Sequence, residues 1–160
     1  MKMNSSDVNY IKSCLDGVMN TSEAQQMKTF RQHGHITTYA HVLSVACMSY
    51  MINKRLRVRA DSRSLIIGAF LHDYYLYDWH DNPKMHKRHG FNHPIKALEN
   101  AQNSYKLNST EKNIIASHMW PLTLTRIPRC REAIIVCISD KICATYEFIF
   151  KNQSVYNINI

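Results

Sequence analysis

A chain of 160 residues with 45% hydrophobic and 20% charged positions, four glycines and four prolines can bury one substantial core without disulfides or structural zinc. That composition excludes a disordered or fibrous polypeptide and favours helices. The formal charge of +8 is dispersed, with no long basic tail and no basic stripe interleaved with aromatics, so nucleic-acid binding is not expected.

Further bounds come from local patterns. No apolar run approaches the roughly 18 residues of a membrane span, and Met1 to Asp7 lack the apolar core of a secretory signal. Cys14, Cys47, Cys130, Cys137 and Cys143 form no CxxC pair, and several lie in apolar helical runs, as reduced thiols do. The expectation is one all-α, cytoplasmic domain spanning residues 1–160, with no membrane segment.

Val8, Ile11, Leu15 and Val18 fall at helical spacing and predict an opening helix from Ser5 to Met19. Ser22 is the expected N-cap of a short helix through Met27 and Phe30, which gives way to a glycine turn at Gln32-His33-Gly34-His35. The next helix runs from Tyr39 to Leu56, and its stripe of Val45, Met48 and Ile52 also contains His41. Asp61 or Ser62 caps the run Leu65-Ile66-Ile67-Gly68-Ala69-Phe70-Leu71, which ends in His72-Asp73.

Tyr74, Tyr75, Tyr77 and Trp79 follow and are read as core packing, with a hydrophobic wall beside a pocket as the alternative. His93-Pro94 is expected to open a helix with proline in its first position and a stripe of Ile95, Leu98 and Ala101. Asn108 to Glu111 has capping-box spacing and starts a helix carrying Ile114 and Ile115, which His118 closes and Pro121 stops. A long helix from Arg129 to Phe150 places Val136, Asp140, Ala144 and Glu147 on one face, and the tail Asn152 to Ile160 is read as peripheral.

Separate helical segments thus place His41, His72, Asp73, His93, His118 and Asp140 on apolar faces or at helix ends. Burying an imidazole or a carboxylate is costly unless something charged compensates it. Four imidazoles and two carboxylates suit one or two transition-metal ions better than magnesium, which prefers oxygen ligands, or structural zinc, which usually shows closely spaced cysteines. Iron or manganese fits best, with zinc, nickel and cobalt as further candidates.

His41, then the adjacent pair His72-Asp73, then Asp140, in that order on helices, resembles the HD superfamily of metal-dependent phosphohydrolases. The resemblance covers about residues 32–147 and implies a bundle of five to seven helices around a central metal site. It makes His41, His72, Asp73 and Asp140 the ligands of one ion. His93-Pro94 and His118 resemble the extra histidines of the two-metal subgroup, in which Asp73 would bridge both ions. The segments His89-Gly90-Phe91-Asn92-His93-Pro94, His118-Met119-Trp120-Pro121 and Leu76-Tyr77-Asp78-Trp79-His80 look like those of small bacterial members known only as predicted phosphohydrolases.

The chain also departs from the better-understood members. Many carry a lysine just after the His-Asp pair, where this chain has Tyr74-Tyr75-Leu76-Tyr77. The cation that meets phosphate is therefore sought at Lys141, beside Asp140, or at Arg88 or Lys87, near His93. The Gly-Tyr-Pro signature of cyclic dinucleotide phosphodiesterases is absent. His33 and His89 are spare histidines at the edges of the motif. Asp78, Asp81 and Glu111 are candidates to hold the outer nitrogens of the ligand histidines.

The activity implied is hydrolysis of a phosphoester or phosphoanhydride in a small anionic substrate, with nucleotides the first class to try. Two alternatives share the ligand set: a metal-binding regulatory module without turnover, and a di-iron oxygenase.

Overall fold

The chain enters its first helix, α1 (Ser5–Leu15), through a reciprocal capping box in which Asn4 and Asp7 each accept the other's backbone N–H. The computed structural model describes residues 3–79, 89–150 and 153–156. Helix α1 ends four residues before the expected Met19, in the turn that holds Gly17 at φ +78°. Thr21, and not Ser22, caps α2 (Ser22–Gln26), because the Thr21 hydroxyl is the one that accepts the Ala24 N–H.

The expected glycine turn is the tip of a small antiparallel hairpin, β1 (Arg31–His33) with β2 (Ile36–Thr37), and Gly34 takes the positive φ that the tip requires. Thr37 caps α3 (Thr38–Leu56), and Asp61 caps α4 (Ser62–Leu71) by accepting from both Arg63 and Ser64. The aromatic segment behaves as expected at Tyr74 and Tyr75, which are fully buried.

Helix α5 (His89–Ser104) begins five residues earlier than the sequence rule for proline suggests, so Pro94 lies inside it. The preceding turn is already helical, and the His93 imidazole nitrogen Nδ1 sits 2.8 Å from the His89 carbonyl at that turn. The predicted capping box of Asn108 and Glu111 opens α6 (Ser109–Ser117), and α7 (Arg131–Ile149) follows. The tail is not wholly peripheral: Tyr156 is buried, and its N–H donates to the Ser44 hydroxyl at 3.2 Å. Residues 157–160 lie outside the described residues.

The architecture is all-α, seven helices and one two-stranded hairpin among the described residues. No helix among them is long and apolar enough to cross a membrane. All five cysteines are free. Helix α4 contacts α1, α3, α5, α6 and α7, and from Ser64 to Leu71 every residue is buried. A run apolar on all sides is what a helix surrounded by others requires.

The closest approach is to α6. A Cβ built on Gly68 would stand 2.6 Å from Ile114 Cδ1 and 3.0 Å from Ile114 Cβ, distances that real packing does not tolerate. Glycine at 68 therefore sets the spacing of α4 and α6, each of which ends in a histidine. Gly68→Ala should destabilise the fold by about 1–3 kcal/mol through overpacking, lowering Tm by roughly 4–10 °C in thermal denaturation. A change below about 1 °C would show that the two helices are not held at this limit.

Candidate metal centre

Two helix C-termini converge on the middle of the bundle. His72 is the C-cap of α4 and His118 the C-cap of α6. Each uses Nδ1–H to satisfy a carbonyl in its own last turn, His72 at Ala69 (2.6 Å) and His118 at Ile115 (2.9 Å). The C-terminal end of a helix carries partial negative charge, so both ends favour a cation between them.

The other imidazoles are held in the same sense. His93 donates Nδ1–H to the His89 carbonyl, and His41, in the first turns of α3, has Nδ1 2.8 Å from the Glu147 carboxylate of α7. Since a carbonyl only accepts, His72, His93 and His118 each carry the Nδ1 proton and turn the Nε2 lone pair inward. Glu111 holds none of them; it is spent on its own helix cap, and Asp81 lies outside the described residues. The outer partners are three backbone carbonyls and Glu147.

The Asp73 carboxylate lies between two groups of these nitrogens. Its Oδ2 is 3.5 Å from His72 Nε2 and 3.9 Å from His41 Nε2. Its Oδ1 is 3.1 Å from His93 Nε2 and 3.5 Å from His118 Nε2. Asp140 Oδ1 completes the first side, 3.1 Å from His41 Nε2 and 3.6 Å from His72 Nε2. The donor atoms of His41, His72 and Asp140, and those of His72, Asp73 and His118, lie within 4.8 Å of one another. All six predicted ligands are buried.

Hydrogen bonds alone leave this cluster unsatisfied. His72 Nε2 and Asp73 Oδ1 are buried without a hydrogen-bond partner. His93 Nε2 and His118 Nε2 face each other at 2.8 Å, although both rings have committed their Nδ1–H to carbonyls. Two lone pairs at that distance require a shared proton or a cation. The residues therefore fit a metal, and the mixed nitrogen and oxygen donors suit a transition metal.

The electrostatics agree. Burial pushes Asp73 and Asp140 up, yet the surrounding imidazoles hold both carboxyls well below the usual range. Burial pulls His41 down, but the Asp140 and Glu147 carboxylates outweigh it and raise the imidazole to about 10. His72 is also raised, with burial opposed chiefly by Asp73 and Asp140. Burial dominates at His118, which falls to about 4 despite its contact with Asp73. The imidazoles around them thus favour the ionised form of both carboxylates.

Two supporting residues lie outside the six expected ligands. Gln32, on β1, donates Nε2–H to Asp73 Oδ2 at 2.6 Å, while its carbonyl accepts from the hydroxyls of Tyr75 and Thr38. These two donors fix the amide orientation, so Gln32 presents a donor to Asp73 and leaves Oδ1 to the histidines. A glutamine before a glycine turn gives no signal of that contact. Glu147 lies seven residues after Asp140 on the same helix, a spacing that was legible.

A cavity of about 600 Å³ opens onto the cluster, with Asp73, His93, His118 and Asp140 among its lining residues. Trp79, Met119, Pro121, Leu122 and Ala144 make the rest largely apolar. His89 belongs to this wall, stacked between Trp79 (centroids 4.8 Å apart) and His93 (4.6 Å). Lys141 also lines the cavity, and its ammonium donates to the His118 and Cys137 carbonyls at 3.1 and 3.2 Å. Arg88 and Lys87 lie outside the described residues, as does the side chain of His33.

Removing either supporting contact should weaken metal binding without unfolding the chain. Gln32→Ala and Glu147→Gln are each expected to lower manganese affinity about 10- to 100-fold in calorimetric titration, with unchanged far-UV circular dichroism. Wild-type affinity in both variants would show that these contacts do not orient the ligands.

Comparison with known proteins adds one finding. The family model for the HD domain matches residues 38–145, about two thirds of the chain and the stretch that carries all six clustered residues. No curated protein and no solved structure matches the chain. The match covers more than half of the sequence, and the chain belongs to the HD superfamily of metal-dependent phosphohydrolases.

Proposed function

We propose that this HD domain, taken as one unit over residues 1–160, hydrolyses a phosphoester or phosphoanhydride of a small anionic substrate, most simply a nucleotide. The observation that carries the proposal is the Asp73 carboxylate, whose two oxygens face two different histidine groups. His41, His72, Asp73 and Asp140 would hold one divalent ion, and His93, His118 and Asp73 a second. Iron or manganese is the pair we favour. When bound, such ions acidify water and neutralise charge on phosphoryl oxygens.

The protein's own groups supply the rest. Nδ1–H bonds to the Ala69, His89 and Ile115 carbonyls keep three Nε2 lone pairs aimed inward, so no proton need leave these rings for them to act as ligands. Gln32 fixes the plane of Asp73, which sets the direction of both its oxygens. The apolar wall of Trp79, Met119 and Leu122 limits water at the reacting centre and offers flat surface to a base. Lys141 adds positive charge at the cavity wall and ties down the carbonyl of His118; we assign it, with Arg88, to the phosphate.

Composition supports the same reading. A chain of net charge +8 attracts anionic substrates, and five free cysteines suit the cytoplasm. The test is phosphate release from a panel of nucleoside mono-, di- and triphosphates and dinucleoside polyphosphates by manganese- or iron-loaded protein. Turnover is expected for at least one member, falling about a thousandfold or more in Asp73→Asn and disappearing on chelation. Loaded protein that releases no phosphate but consumes oxygen would replace this reading with an oxygenase. Neither phosphate release nor oxygen consumption would leave a metal-binding regulatory module.

A further inference from the structure

We infer that the outward face of α7 is the contact surface of a two-fold symmetric dimer of this chain. Eight positions of this helix are exposed, and five of them are Ile134, Ile138, Ile142, Phe148 and Ile149. A surface helix ordinarily turns polar residues to water, and here the exposed face is nearly as apolar as the buried one. The three isoleucines at spacings of four are 44–49% exposed, Ile149 is 62% and Phe148 76% exposed.

At the areas typical of large apolar side chains, these residues with Phe150 and Trp120 present roughly 700–800 Å² of apolar surface. The largest patch on a typical monomer is about 300–600 Å², whereas one side of a standard protein interface buries about 800 Å². The area therefore matches one half of a dimer.

Shape and charge select a second copy over other occupants. Ile134, Ile138 and Ile142 form one i, i+4 ridge, with an apolar depression beside Trp120 and Pro128 at one end and another beside Tyr146 and Phe150 at the other. Ile138 and Lys141 line both depressions, so they mark the midpoint. A ridge with a depression on either side of its centre is self-complementary about a two-fold axis, which is the geometry an isologous contact needs.

No exposed position of α7 is acidic. The central cation, Lys141, draws its ammonium back to the His118 and Cys137 carbonyls, so its aliphatic stem lies along the face. The two exposed basic residues of α7 are both bonded to protein carbonyls, Arg131 to Val58 and Lys141 to His118 and Cys137, whereas an acidic partner or an anionic membrane would call for basic groups turned outward along the stripe. Lys141 and Pro121 also line the cavity of the metal cluster, which places the dimer contact beside its mouth.

Light scattering on the purified 160-residue chain tests this without reference to activity. The wild type is expected at about 37 kDa, twice the 18.7 kDa of one chain, at micromolar concentration. Ile138→Glu should raise the dimer dissociation constant about thirtyfold or more, with unchanged circular dichroism. As a second measurement, Ile142→Cys in the otherwise wild-type chain should form a disulfide-linked dimer on mild oxidation, because residue 142 lies near the axis. A wild-type chain that is monomeric at 100 µM, or a dimer indifferent to Ile138→Glu that also fails to cross-link through residue 142, would overturn the inference. So would a monomer that pellets with phosphatidylcholine vesicles, which would assign the face to lipid.

Discussion

The structure depends on burying Asp73. Its carboxylate has almost no solvent contact, receives one good hydrogen bond from Gln32, and otherwise looks at nitrogens that have already spent their Nδ1 protons or lie beyond hydrogen-bonding geometry. A lone buried carboxylate costs several kcal/mol, and the surrounding atoms are arranged to stabilise charge there, not to remove it. One oxygen faces His41 and His72, the other His93 and His118. This placement of the two oxygens is what the proposal of a two-metal site rests on.

The fold supplies that environment by ending helices in the right place. Helices α4 and α6 bring their C-caps, His72 and His118, together about one turn beyond the contact of Gly68 with Ile114, and each terminal histidine satisfies its own helix before presenting Nε2 to the centre. The bond that caps each helix thus also fixes its imidazole. Helices α3 and α7 enter differently, with His41 and Asp140 on their flanks and Glu147 reaching back to fix the His41 ring. The hairpin contributes Gln32 to the cluster, held by Tyr75 and Thr38. Each ligand is oriented by a contact on a different element, so the geometry is that of the whole bundle.

Much of this was legible in the sequence because burial and polarity conflict there openly. An apolar run that ends in His72-Asp73, an aspartate at 140 amid isoleucine and cysteine, and a histidine on the stripe of α3 are each anomalies of pattern, and the structure brings them together. The capping box at Asn108 and Glu111 was readable because its chemistry is local. What escaped depends on distant contacts. Gln32 matters through residues 38, 73 and 75, Glu147 through the turn of a helix against α3, and Tyr156 through its bond to Ser44. The early start of α5 was hidden by Pro94, which marks a helix start only when the preceding turn is not already helical.

The most direct test of a two-metal centre built on Asp73 is elemental analysis of untagged protein purified without chelators. The account predicts about two equivalents of iron or manganese per chain, as a bridging carboxylate with three donor groups on one side and two on the other requires. Less than about a tenth of an equivalent after reconstitution with either metal would contradict it, and would make the six residues a polar core stabilised by protons alone.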